Sequence, residues 1–279
     1  MEQRADIPRT EGLRVLTERV YLGPDSVHLV EAALRLAPRG DRAVELGAGA
    51  GYLAVALARR YRTVIATDVM LDAAVFTRAE FERHEPPRGH STAVAVGDVA
   101  GGLRRTSFDL VAANTPWVPQ PDPNVERVVF AHGGATGVEL PLRFLREGAA
   151  LLRSGGVAIT LALDVTLQDG SLPLHAACHE LEADGFATTL VPTPINITFP
   201  RFRATMLARQ PALIDAVHVA VVVGAPFEPG GGRASLLTAA AALGRRWTPH
   251  DLSDVRVGQR QGNWTAAQAR RVEIKAVHT

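Results

Sequence analysis

The amino-acid sequence predicts an α/β protein built on a mostly parallel sheet. Two observations carry this. Short apolar runs alternate with stretches of helical spacing, the signature of repeated strand–helix–strand units. A glycine-rich turn follows the first apolar run, and acidic residues stand at or beside the ends of the first three, where open α/β sheets bind their ligands. Hydrophobic residues make up 47% of the 279, enough to bury a sizeable core.

The elements follow in order. Asp25 or Ser26 caps a first helix in which Val27, Val30 and Leu34 recur at helical spacing. The first strand is Ala43–Leu46 and a helix follows over Tyr52–Tyr61. Further strands are expected at Thr63–Thr67, Ala93–Val96 and Phe108–Ala113. An irregular stretch runs from Pro116 to about Gly137, longer than most loops in compact domains and of the kind that forms lids. A helix over Leu140–Leu152 is stopped by Gly155 and Gly156, and a strand follows at Val157–Leu163. A helix near Pro173–Asp184 leads to Thr188–Val191 and Arg203–Leu207, expected to pair as an antiparallel hairpin. After Pro211 the pattern restarts, with a strand at His218–Val223, a helix at about Ala234–Leu243, and short strands near Val255 and Val272. The chain is therefore divided into a main domain over 1–210 and a C-terminal α/β extension over 211–279, either a subdomain or an addition to the sheet.

Composition narrows the function classes. No apolar run approaches the roughly 20 residues that span a bilayer, and the first residues lack the apolar core of a signal peptide, so a cytoplasmic protein is expected. Cys178 is the one cysteine, which excludes an internal disulfide framework and a cysteine metal cluster. The net charge of +1 argues against a dedicated nucleic-acid binder. Residues 201–279 nevertheless hold 11 basic and 5 acidic side chains, a balance suited to an acidic partner or to a solvated surface.

The turn Val44-Glu45-Leu46-Gly47-Ala48-Gly49-Ala50-Gly51 lies between strand and helix, where glycines allow a tight bend and close approach of a ligand. A dinucleotide fingerprint counted from Gly47 would need its third glycine at Tyr52, so it fails. Glu45, two residues before the first glycine, suits a cationic group. S-adenosyl-L-methionine carries an ammonium and a sulfonium, whereas a pyrophosphate is anionic. Asp68 ends the second strand, 17 residues beyond Gly51, where a carboxylate can accept both ribose hydroxyls. Val69 lies beside it, and Met70 and Leu71 follow, placed to cover an adenine. Asp98, after the third strand, is placed to accept from the adenine amino group.

VELGAGAG, ATDV, VGDV and FDLVAANTPW resemble the ordered motifs of class I S-adenosylmethionine-dependent methyltransferases, over roughly residues 20–210. The resemblance implies a Rossmann-like seven-stranded sheet. It also implies a cofactor set of Ser26, Glu45, Gly47, Ala48, Gly49, Asp68, Val69, Asp98 and Asn114. Asn114-Thr115-Pro116-Trp117 resembles the N-P-P-Y motif of N-methyltransferases, with Thr115 in place of the first proline. Methyl transfer to nitrogen needs a lone pair held about 3–3.5 Å from the methyl. The Asn114 side-chain oxygen and the Thr115 carbonyl would accept the N–H hydrogens and favour the charge that builds on nitrogen. Trp117 would offer a flat apolar face to a planar substrate.

The segments RVYLGPDSVHLVEAAL and GGATGVELPLRFLREGAALLRSGGVAIT are similar to those of HemK/PrmC-type glutamine N5-methyltransferases. About 25 residues precede the first helix, where release-factor methyltransferases carry a helical recognition domain, and this points the substrate away from a release factor. The leading expectation is transfer to a planar nitrogen of a small molecule or amino-acid side group. Protein glutamine, an rRNA or other nucleic-acid base, and a non-catalytic cofactor-binding regulator stay open.

Other residues attract attention less. His28 lies near the expected cofactor edge and His132 in the lid-like stretch, where it would touch substrate or remove a proton. His175 and His179 share a helix face, but no H-x-x-H or H-E-x-x-H spacing occurs, so no metal site is expected. Gly230–Gly232 before a helix suits an anion nest or a flexible loop, and Arg201 and Arg203 suit a carboxylate or phosphate.

Overall fold

The computed structural model describes residues 20, 24–37, 40–124, 128–198, 202–226 and 233–246. Arg201, the Gly230–Gly232 run and the strands expected near Val255 and Val272 lie outside these residues.

The described elements open with α1 (Pro24–Leu36) and then alternate β1 (Arg42–Leu46), α2 (Tyr52–Ala58), β2 (Thr63–Asp68), α3 (Leu71–Arg83) and β3 (Ser91–Val96). Strand β4 (Phe108–Asn114) follows, then two short strands, β5 (Val118–Pro119) and β6 (His132–Gly134). Helix α4 (Glu139–Leu151) runs directly into β7 (Leu152–Leu167), and α5 (Pro173–Ala183) into β8 (Ala187–Pro192). The short helix α6 (Ile195–Thr198), α7 (Phe202–Arg209), β9 (Leu213–Gly224) and α8 (Arg233–Arg246) complete the described elements.

Seven strands form one sheet in the order β3-β2-β1-β4-β7-β9-β8, the expected seven-stranded class I methyltransferase arrangement. All neighbours from β3 to β7 pair in parallel, and β9 is antiparallel to both β7 and β8. The inner strands are buried on both faces, which is why they read as near-continuous apolar runs. Alternate residues of β1 and β4 serve opposite layers. Ala43, Leu110 and Ala112 join α1, α2 and α8 in one core, while Val44, Leu46, Val111 and Ala113 join α4 and α5 in the other.

One expectation changes. Arg203–Leu207 is not a strand paired with Thr188–Val191; it lies within helix α7. Its Ala, Met, Leu and Arg are good helix formers, and Met206 plugs a small core with Leu213 and Ala216 at the start of β9. The antiparallel neighbour of β8 is β9, from Ala187 opposite Gly224 to Pro192 opposite Val219. The stretch after residue 211 thus supplies a strand to the sheet, wedged between β7 and β8. Leu236, Ala240 and Leu243 of α8, at helical spacing, cover that end together with Val191 and Val222. Among the described residues no helix is long and apolar enough to cross a membrane.

Candidate functional site

One large cavity of about 810 Å³ opens at the carboxyl ends of β1, β2, β3 and β4. Every residue of the expected cofactor set lines it: Ser26, Glu45, Gly47, Ala48, Gly49, Asp68, Val69, Asp98 and Asn114. The turn between β1 and α2 is held by its glycines. Gly47, Gly49 and Gly51 adopt φ of 68°, 50° and 67°. A Cβ on Gly51 would also stand 2.9 Å from the Thr77 side chain, so only glycine fits there.

The two inner acids stabilise this turn from within. Glu45 is buried and accepts the Ala54 N–H at 2.6 Å, serving one of the amide groups left over at the start of α2. Burial pushes its carboxyl up to about 8, against the lowering effect of that amide, and the nearby Asp68 charge adds to the rise. Asp68 accepts the Gly49 N–H at 2.9 Å through one oxygen and the Met70 N–H at 2.8 Å through the other. Burial raises its pKa as well, and the amides of Met70, Gly49 and Val69 oppose the rise. A carboxylate oxygen carries two lone pairs, so both remain able to accept a ribose hydroxyl.

Asp98 differs from both. It is exposed, and Arg143 of α4 grips its two oxygens at 2.9 Å while holding Glu147 at 2.6 Å. Glu147 in turn accepts the Ala100 N–H at 3.1 Å, so helix α4 fixes the loop that carries Asp98. Arg143, Leu140 and Phe144 of α4 line the cavity, as do Tyr52, Leu53 and Val128–Phe130. The sequence reading missed these. The spacing of Leu140 and Phe144 marks an apolar helix face, but that face also packs on the sheet, and periodicity cannot separate the two uses. Met70 lines the cavity, whereas Leu71 is not among the lining residues.

The Asn114–Trp117 turn divides. Asn114 and Pro116 line the cavity. The Asn114 Nδ2 donates to Ser26 Oγ at 3.0 Å, and its Oδ1 is buried without a hydrogen-bond partner among the described residues. Thr115 turns into the sheet, its hydroxyl donating to the Leu161 carbonyl at 2.5 Å, so its side chain is a tether. Trp117 is not among the lining residues. Its indole packs edge-on against His218 of β9, with ring centres 4.8 Å apart, and its Nε1 donates to Asp25 at 3.4 Å. The indole is thus in contact with β9 and α1. His218 is fully buried, shares a 2.7 Å hydrogen bond with the Thr193 hydroxyl, and is pushed down to about 3 by burial and by the neighbouring His28.

The two ends of the stretch from Pro116 to Gly137 are tied together. β5 and β6 pair in parallel, and Gln120 N–H reaches the Gly134 carbonyl at 2.9 Å. Gly133 sits so close to the turn that a Cβ would stand 2.6 Å from the Pro116 carbonyl oxygen. His132 accepts the Val128 N–H at 3.0 Å within this stretch and is not among the lining residues. His175 pairs with Asp164 at 3.1 Å and His179 with Glu182 at 3.3 Å. Among the described residues no group of three or more His, Cys, Asp or Glu is placed to hold a metal ion.

The residues present fit S-adenosyl-L-methionine. The cavity has one buried acid, Glu45, beside the glycine-bent turn to suit the cationic end, a second, Asp68, to suit hydroxyls, and apolar side chains such as Leu53 and Met70. Comparison with known proteins gives the same direction. Residues 26–166 match the family described as methyltransferase small domain, over half of the chain. A release factor glutamine methyltransferase of Gloeobacter violaceus is 33% identical over 161 residues, 53% of this chain and 54% of that protein. A protein-L-isoaspartate O-methyltransferase of a Roseiflexus species is 35% identical over 139 residues, 46% of this chain and 60% of that protein. The chain spans about half the length of the curated relatives it matches. Among solved structures, a geranyl diphosphate C-methyltransferase from Streptomyces coelicolor aligns at a TM-score of 0.49 and 13% identity, covering 72% of this chain and 76% of that one, a likeness too slight to bear on substrate. The chain belongs to the methyltransferase small domain family, and with it to the S-adenosyl-L-methionine-dependent methyltransferases.

Proposed function

We propose that this protein methylates the nitrogen of a planar amide or aromatic amine, with a glutamine side chain as the first candidate and a small planar molecule as the second. One observation carries the reading: Asn114 lines the cavity and its Oδ1 is a buried acceptor with no partner among the described residues. A buried polar atom left unsatisfied costs about 1–3 kcal/mol, so this oxygen is suited to an incoming N–H. S-adenosyl-L-methionine supplies an electrophilic methyl on its sulfonium. Asn114 would hold the acceptor nitrogen by its hydrogen and favour the positive charge that develops there. The nitrogen lone pair forms the N–C bond as the S–C bond breaks, the sulfonium leaves as a thioether, and the nitrogen releases one proton to solvent. Glu45, Asp68 and the Gly47–Gly49 turn would hold the cofactor, with Asp98 and Arg143 at its adenine end.

Three relatives are named release factor glutamine methyltransferases, which supports the amide. The isoaspartate relative acts on oxygen, but a carboxylate acceptor brings no N–H and would leave the Asn114 oxygen unsatisfied. A nucleic-acid base offers an amino group to Asn114 equally well, but most of the basic stretch that would meet phosphates lies outside the described residues. The test is to incubate the protein with the cofactor and a panel of glutamine-containing peptides, free glutamine, aromatic amines and RNA, following S-adenosylhomocysteine and locating the methyl by mass spectrometry. Methyl on an amide or amine nitrogen is expected. Methyl found only on oxygen or carbon, or tight cofactor binding with no turnover on any acceptor, overturns the reading, the second outcome in favour of a regulator.

A further inference from the structure

An asparagine can hold a nitrogen nucleophile only if its carboxamide faces the right way. Turned over, it would present NH2 to the substrate N–H, two donors in opposition. Something must therefore choose between two faces of nearly identical shape, and the surroundings of Asn114 show what does.

The relevant contacts come from α1, almost ninety residues earlier in the chain. Ser26 Oγ stands 3.0 Å from Asn114 Nδ2 and accepts from it, which leaves Oδ1 as the free acceptor. Ser26 belongs to the first turn of α1, where the positive end of the helix dipole would otherwise attract the oxygen of the carboxamide. The hydroxyl opposes that pull by offering an acceptor to the Asn114 Nδ2. Asp25 secures the arrangement. One of its oxygens accepts the Ser26 N–H at 2.9 Å, and the other accepts the Trp117 indole N–H at 3.4 Å. A single buried carboxylate thus ties the start of α1 to the far end of the acceptor turn, while Ser26 ties it to the near end. Trp117 is wedged on its other side against His218.

We infer that Asp25 and Ser26 are positioning residues that clamp both ends of the Asn114–Trp117 turn onto α1 and so make Asn114 present oxygen, not its NH2, to the methyl acceptor. This rests on the nitrogen-transfer reading above and adds to it a residue pair with a defined task. Ser26 also lines the cofactor cavity, so its two roles must be separated.

The experiment compares Ser26→Ala, Ser26→Thr and Asp25→Asn with the wild-type chain. Three quantities are measured: kcat and KM for a glutamine-containing peptide, affinity for S-adenosylhomocysteine by calorimetry, and the Asn114 side-chain amide resonances in the S-adenosylhomocysteine complex with asparagine-selective labelling. Ser26→Ala is expected to lower kcat at least about tenfold, the scale of one misdirected hydrogen bond, with S-adenosylhomocysteine affinity changed less than about threefold. The Asn114 amide resonances should shift and lose protection from exchange. Ser26→Thr, which keeps the hydroxyl, should restore both kcat and the resonances, and Asp25→Asn should fall between. Loss of cofactor affinity in step with kcat would overturn the inference, making Ser26 a plain cofactor contact, and so would an unchanged Asn114 amide in Ser26→Ala. If the wild-type chain methylates no nitrogen at all, the nitrogen-transfer reading fails, and the amide resonances still decide whether Ser26 sets the orientation.

Discussion

The two sides of the cavity are built by different means. On the cofactor side, the turn after β1 is held from β1 itself and from its neighbour β2: Glu45 on Ala54, 9 residues away, and Asp68 on Gly49, 19 residues away. On the acceptor side, the turn after β4 is held from afar, by Ser26 and Asp25 of α1, by His218 of β9, and by the close packing of Gly133. The buried titratable groups also differ in sense. Glu45 is an acid whose charged form is disfavoured, raised to about 8, and His218 is a base whose charged form is disfavoured, lowered to about 3. The contrast shows that a mobile, charged ligand can be met by local structure, whereas the orientation of a single amide requires the whole domain to be assembled.

The largest effect expected is on the acceptor side. Asn114→Ala should reduce kcat by roughly 10²–10³, the scale for removing one preorganised hydrogen-bonding group, while S-adenosylhomocysteine affinity measured by calorimetry stays within a few-fold. Equal loss of both would merge the two sides into one. On the cofactor side, Asp68→Asn should weaken S-adenosylhomocysteine binding by about tenfold, the scale of one charge-assisted hydrogen bond, and kcat at saturating cofactor should move little.

The pH predictions are smaller and opposite in sign. Glu45 holds a proton in the folded state that the unfolded chain gives up near 4.5, so its contribution to stability is complete below 4.5 and is lost as pH rises through about 8. Thermal melts of the ligand-free protein should therefore lose stability over that window, and Glu45→Gln should flatten the slope. Cofactor affinity should rise over the same window, because a cation favours the charged carboxyl. His218 is the reverse. The unfolded chain takes up a proton below about 6.5 that the folded chain refuses down to about 3, so stability is lost as pH falls through that interval. His218→Gln should remove that acid sensitivity, and melts between pH 4 and 7 would show it.

What could be read from the sequence follows the same division. The glycine turn, Glu45 and Asp68 were legible because each sits where its own strand ends, and strand periodicity locates that end. Asn114 and Pro116 were legible as a motif. The direction of Trp117 was not, because its partners lie 92 residues earlier at Asp25 and on β9 at His218, and no local pattern links them. Arg143 was hidden for a related reason: it looks like any solvated helix arginine until α4 is docked beside Asp98. Arg203–Leu207 was misread because a short run of mixed polarity fits strand or helix equally, and the choice was made by Met206 finding a core at the foot of β9.

Strand β9 enters the sheet between two strands that precede it in the chain. On the ribosome, β7 and β8 are complete before their shared neighbour exists, and each offers an open edge to any passing strand until residues 213–224 emerge. The nascent protein is thus most exposed to mispairing and to chaperone capture late in synthesis. Because His218 rides on that strand, the wedge behind Trp117 also arrives long after the glycine turn, so a chain stopped before β9 would already hold that turn but not the wedge that backs Trp117.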